Sequence, residues 1–133
     1  MKSLELYPTG SLGLWDPRKV QELKAESGNE SFTGGNLMFE NEYLKFWEII
    51  LYPGERLPFS KKNTNYLWSC ISGGQTLTHS GDGAIRYYVI EKGESQFFEF
   101  KNKNHISDLE NTGKNIIVIH IIEYKHEHID DRH

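Results

Sequence analysis

The stretch Leu51-Tyr52-Pro53-Gly54-Glu55-Arg56-Leu57-Pro58-Phe59-Ser60-Lys61-Lys62 decides how the chain is read. An apolar run ends at Tyr52, Pro53-Gly54 punctuates it, and a second run starts at Arg56. The same grammar continues on both sides. Apolar and aromatic runs cover Leu37–Phe39, Tyr43–Tyr52, Arg56–Phe59, Asn65–Ser72, Gln75–Ser80, Ile85–Glu91, Ser95–Phe100, His105–Asn111 and Lys114–Tyr124. Turn residues separate them at Gly73-Gly74, Gly81-Asp82-Gly83, Lys92-Gly93 and Asn111-Thr112-Gly113. Many short strands at a regular pitch make an all-β sandwich or barrel.

The last run carries Ile116, Ile117, Val118, Ile119, Ile121 and Ile122 and is apolar on both faces. A strand of this kind is covered on both sides, by a barrel lumen on one and by a second layer or a partner subunit on the other. Residues 1–36 differ. Asp16 suits an N-cap, Pro17 the first helical position and Gly28 the C′ position, so a short helix is expected at about 17–27. Val20 and Leu23 give it a narrow apolar stripe. The expected organisation is an N-terminal extension (1–36) docked outside the main body, a barrel (37–125) and a flexible tail (126–133). The tail holds His126, His128 and His133, and its expected state is a solvated one with adventitious affinity for nickel or zinc.

Composition bounds the function. The chain has 133 residues and a formal net charge of −4, with a pI near 5.8. Nucleic-acid binding relies on clustered positive charge, so this weak acidity argues against it. Cys70 is the only cysteine, which excludes an internal disulfide and a cysteine-rich zinc site. No apolar run reaches the ~18 residues of a membrane span. The start, Met1 to Pro8, is proline-broken, unlike a signal peptide. A cytoplasmic protein with no membrane partner is expected.

The turn and its sequel resemble the first motif of the cupin superfamily, G-x5-H-x-H-x3-E-x6-G. Gly54 opens it and Gly73 closes it without a gap. The histidine slots hold Ser60 and Lys62, and the glutamate slot holds Tyr66. The second motif, G-x5-P-x-G-x2-H-x3-N, is looser: Gly93 opens it, Glu99 stands where the proline would be, and Leu109-Glu110-Asn111-Thr112-Gly113 closes it. Counting back from Asn111 puts Ser107 in the last histidine slot, with about three extra residues around Phe100–Asn104. His105 lies two residues earlier and would share the face of Ser107. The resemblance spans residues 37–124. It implies a cupin-type double-stranded β-helix, a jelly-roll barrel of the small RmlC-like kind, with the metal-ligand positions substituted.

A cupin metal site needs imidazoles and a carboxylate turned inward. Ser60, Lys62, Tyr66 and Ser107 offer weak oxygen ligands and an ammonium that repels a cation, so no metal or other cofactor is expected. Lys62 either points to solvent beside Lys61 or enters the barrel mouth, where it would pair with an anion such as a carboxylate. Burial would then lower its pKa from about 10.4 and make it a base or an amine nucleophile. Tyr66, Trp68 and Cys70 alternate on one face of a strand, and family geometry puts that face in the lumen. Trp68 would fill much of the cavity, as core or as a stacking surface, and Cys70 reads as a small hydrophobe. Glu48 would face the outer layer, with Arg86 or Lys45 as its partner. His120 is either a structural histidine or a lumen residue forming an acid–base pair with Tyr66.

The expected function is a metal-free cupin-domain protein. It binds a small organic ligand, an anionic one included, through Ser60, Lys62, Tyr66, Trp68, Ser107 and His120, or acts as a non-catalytic dimeric module. The competing reading is a metal-independent isomerase or lyase using Tyr66, Lys62 and His120. A metal enzyme requires His105, His120 and a carboxylate to converge. The doubly apolar last strand and the aromatic surface point to a homodimer.

Overall fold

The computed structural model describes residues 2–26, 30–100 and 105–125. It contains β1 (Lys2–Tyr7), a short 3-10 turn (Leu12–Leu14), α1 (Pro17–Glu26), β2 (Asn36–Glu40), β3 (Leu44–Leu51), β4 (Arg56–Lys62), β5 (Tyr66–Ser72), β6 (Gly74–His79), β7 (Ile85–Ile90), β8 (Ser95–Phe98), β9 (His105–Asn111) and β10 (Ile117–Tyr124). Two antiparallel five-stranded sheets form, in the orders β1-β7-β6-β9-β4 and β2-β3-β10-β5-β8. From β3 onward the chain crosses between sheets at every connection except the β6–β7 hairpin. The two inner faces enclose a lumen.

The turns that drive the winding are local. Gly54 adopts φ +86°, a left-handed conformation that glycine takes without a Cβ penalty. Its N–H donates to the Asn111 carbonyl at 2.9 Å, tying the β3–β4 corner to the end of β9. Asn111 is fully buried, and its Nδ2 donates to the carbonyls of Leu51 (2.9 Å) and Asn115 (2.7 Å). At the other motif glycine, Gly73, a Cβ would collide with the Ile90 carbonyl, so only glycine allows β5 to turn directly into β6.

The main core lies between the sheets. It holds Ile49, Leu51, Leu57, Trp68, Cys70, Ile90, Ile117, Ile119 and Ile121, with Phe32 at one end. Along β10 burial alternates strictly, with Ile117, Ile119, Ile121 and Glu123 inside. A second cluster of Trp15, Leu23 and Phe59 lies on the far side of the first sheet, under α1. One irregularity separates the two. Leu57 pairs with Leu109, and Ser60 pairs with Ser107. Three steps on β4 thus match two on β9, and the extra residue flips the alternation. Leu57 enters the lumen and Phe59 faces α1, while Ser60 and Lys62 turn back toward the lumen side. Pro58 sits inside this irregularity on an edge strand, where a missing N–H is tolerated.

The described residues ahead of β2 are more closely integrated than an extension docked outside the body. Lys2–Tyr7 is an edge strand of the first sheet, paired antiparallel with β7. All six of its residues are exposed, Leu4 by 59%. The strand is held by backbone pairing more than by burial, so its apolar residues carried no core signal. The helix begins as expected, with Arg18 N–H donating to Asp16 Oδ1 at 3.0 Å. Gly28, the tail and the 101–104 segment lie outside the described residues.

Candidate functional site

The lumen holds a cavity of about 400 Å³. Strands β4 and β9 form one wall, and β5, β8 and β10 face them. Lys62, Ser107, Tyr66 and Trp68 all line it, joined by Phe98 of β8 and Tyr88 of β7. Ser60 lies just behind Lys62, 2% exposed. The register shift in β4 brings the substituted positions together. Lys62 Nζ donates to Ser60 Oγ at 2.9 Å and to the Ser107 carbonyl at 3.1 Å. The Ser107 hydroxyl lies 3.4 Å away and the Ser60 carbonyl 3.5 Å. Lys62 therefore enters the barrel and does not point to solvent.

All four acceptors around this ammonium are neutral oxygens. Phe32 lies under it, 5.7 Å from ring centroid to Nζ, which adds a cation–π contact. Burial lowers the Lys62 pKa to about 8, against the smaller opposing pull of the Asp108 and Glu123 charges. Both carboxylates have other partners. Glu123 accepts from Trp47 Nε1 and Thr64 Oγ1, each at 3.0 Å.

The facing wall is aromatic. Tyr66 stacks on Phe98 at 4.8 Å between centroids and meets Phe32 edge-on at 5.0 Å. Trp68 stacks on Phe98 at 6.3 Å with 24° between the planes. The indole therefore lies along the wall and does not fill the cavity, which corrects the expectation of a plug. Burial pushes the Tyr66 phenol above its ordinary value, so it is a poor acid or base near neutral pH. Cys70 is buried in the core and its thiol is likewise pushed up by burial.

His120 does not belong to this site. It lies on the outer face of the second sheet, opposite Glu48 in the β3–β10 register. Its Nε2 is 3.1 Å from Glu48 Oε2, and its ring meets Phe46 edge-on. Glu48 thus finds His120 rather than Arg86 or Lys45. Because β10 is apolar on both faces, its sequence does not say which face is inside. His105 lies at the cavity edge directly across from Lys62 in the β4–β9 register, and burial and the Lys62 charge both lower its pKa. The two histidines are on different sheets and do not converge. The acid–base grouping of Tyr66, Lys62 and His120 is not assembled.

The donor set at the positions that the motif resemblance marks as ligand slots does not fit a metal ion. Two hydroxyls and a stacked phenol are weak ligands, and the Lys62 ammonium already occupies the hydrogen-bonding centre between Ser60 and Ser107. Among the described residues, no group of three or more His, Cys, Asp or Glu is placed to hold one elsewhere.

A polar cluster that no sequence pattern signals lies beside the site, under α1. Asp108 is 2% exposed and accepts from the His79 N–H at 2.6 Å and from Arg56 Nε at 2.7 Å. His79 Nδ1 lies 3.2 Å from Asp108 Oδ2, and Arg56 Nη1 pairs with Glu22 of α1. Burial pushes the Asp108 carboxyl up, but the hydrogen bonds from His79 and Arg56 outweigh this and hold it below the ordinary carboxylate value. These partners are 29 and 52 residues apart in the chain, too far for any local pattern to reveal.

No family model and no curated protein sequence matches the chain. Solved structures do. A cupin domain from Bordetella pertussis Tohama I superposes with a TM-score of 0.60 at 19% identity, covering 76% of this chain and 97% of that one. An RmlC-like cupin family protein with a double-stranded β-helix fold from Methanocaldococcus jannaschii gives 0.55 at 17% identity, covering 68% and 77%. A double-stranded β-helix protein from Klebsiella pneumoniae gives 0.52 at 14% identity, covering 66% and 68%. The fold is therefore the cupin-type double-stranded β-helix, with one N-terminal helix, as the motif spacing implied. Within that fold, the site is an aromatic cavity that holds a buried lysine.

Proposed function

We propose that this chain is a metal-free cupin-fold binding protein that takes a small organic anion into its barrel. One observation carries the reading. A lysine ammonium is held inside an aromatic cavity with only neutral acceptors around it. A buried cation with no carboxylate among its hydrogen-bond acceptors is costly, and a carboxylate ligand would supply one. Tyr66, Trp68 and Phe98 would take an apolar or aromatic body, and the Ser107 hydroxyl the second carboxylate oxygen. Calorimetry with benzoate tests this. Wild-type protein is expected to bind, and Lys62→Met to bind at least about ten-fold more weakly, a loss of ~1.4 kcal/mol. Equal binding by both would sink the reading.

A cytoplasmic homodimer without nucleic-acid or membrane partners completes the proposal. The net charge of −4 and the single buried thiol support the first part. Among the described residues, no helix is long and apolar enough to cross a membrane. The outer face of the second sheet supports the second part, because Phe39, Ile50, Ile71 and Phe97 are 38–53% exposed there. Light scattering is expected to give twice the chain mass, falling to one chain mass in Ile71→Glu. A monomeric wild type at high concentration refutes the dimer.

A further inference from the structure

We propose that Lys62 captures small aldehydes and ketones inside the barrel as a covalent imine. The inference deepens the binding reading above, since it rests on the same cavity being a ligand site, and it narrows the ligand class to carbonyl compounds, with 2-oxo acids the best fit.

The geometry is that of an amine held from behind. Ser60 and Ser107 are a cross-strand pair on the β4–β9 wall, and both of the short contacts to Nζ come from them. The two longer contacts, at 3.4 and 3.5 Å, come from the same two serines, so every acceptor of the nitrogen lies on this wall. The lysine itself lines the cavity. No carboxylate among the acceptors holds the amine in its charged form, in contrast to a surface lysine in an ion pair such as Lys125 with Glu40 at 2.6 Å. Burial then lets the neutral amine, which is the nucleophile, form near pH 8. The aromatic wall gives the amine an apolar neighbour, and an apolar surrounding favours a condensation that releases water.

The chemistry balances without a redox partner. The nitrogen lone pair adds to the carbonyl carbon and a proton passes from nitrogen to oxygen, giving a carbinolamine. The Ser107 hydroxyl, 3.4 Å from Nζ and at the cavity surface, is placed to relay that proton. Loss of the hydroxyl with a proton forms the C=N bond and one water. Protonation of the imine restores the positive charge at the same place. A 2-oxo acid therefore meets two demands at once, since its carbonyl carbon takes the amine and its carboxylate pairs with the iminium.

The test is reductive trapping on the full chain. Pyruvate and propanal are each added with sodium cyanoborohydride between pH 6 and 10, and the modified lysines are mapped by peptide mass spectrometry. Lys62 is expected to be labelled about ten-fold faster than any other lysine, with a rate that rises through pH 8. Lys62→Arg keeps the charge and removes the nucleophile, so it is expected to lose the adduct. Labelling spread over the surface lysines with no preference for Lys62 overturns the proposal, and the wild-type map alone is enough to show this if the variant fails to fold. Benzoate binding without an adduct at Lys62 overturns the imine alone, whereas absence of both overturns the binding reading beneath it.

Discussion

Strand β4 carries two cations into the protein six residues apart, and they have opposite fates. Arg56 faces α1 and meets Asp108 and Glu22, two carboxylates. Burial lowers its pKa, but these partners outweigh it and the guanidinium ends above its ordinary value. Lys62 faces the lumen, finds only serine oxygens as hydrogen-bond acceptors, and is lowered to about 8 by burial. The same two strands supply both sites, through Asp108 and Ser107 on β9. A neutralised cation is a structural tie, here from helix to sheet. A buried cation surrounded by neutral acceptors costs stability, and residues that carry such a cost are candidates for binding or chemistry.

The largest expected effect tests the structural side. Asp108→Ala removes the buried carboxylate that pairs with Arg56 and His79 and is expected to cost about 3 kcal/mol or more in denaturant unfolding. A loss below about 1 kcal/mol would mean that the tie is not one. Because the folded Asp108 carboxyl is held below its ordinary value of 3.8, its contribution is present above that pH and is lost as pH falls through the lower folded value.

The lumen side has the opposite signature. The folded pKa of Lys62 is about 8 against 10.5 for the ordinary group. Between these values the unfolded chain binds the extra proton, so stability rises with pH by up to about 3 kcal/mol. Wild-type protein is expected to show this rise in urea melts taken from pH 7 to 10.5, and Lys62→Met to lack it. Parallel profiles for the two proteins would erase the contrast with Arg56. The smallest effect belongs to the outer pair of Glu48 and His120, whose side chains are 28% and 33% exposed. Glu48→Gln is expected to change stability by under about 0.5 kcal/mol. A larger loss would show that the outer face is covered, as a dimer would cover it.

Much of this was legible in the chain. Each of the nine apolar runs from Leu37 to Tyr124 overlaps one strand, because alternation and turn residues are local signals. The motif spacing singled out Ser60, Lys62, Tyr66 and Ser107; the last three line the cavity and Ser60 lies behind Lys62. Strand β1 was not legible, since Leu4 and Leu6 stay exposed and only its pairing with β7 defines it. The face of His120 was not legible either, because Val118, Ile122 and their neighbours make β10 apolar on both faces and alternation gives no inside. The Asp108 cluster depends on partners that only the β4, β6 and β9 pairing unites.

The sequence by itself determined the strands, the two motif glycines and the residue types at the substituted positions. Each of these depends on neighbours a few residues away. Only the tertiary structure decided which faces are inside. Alternation counted from Leu57 would send Phe59 and Lys61 into the lumen. The single extra residue between Leu57 and Ser60 sends Lys62 there instead. That choice belongs to the pairing of β4 with β9, about fifty residues apart, and pairing register is a property of two strands together and not of either alone.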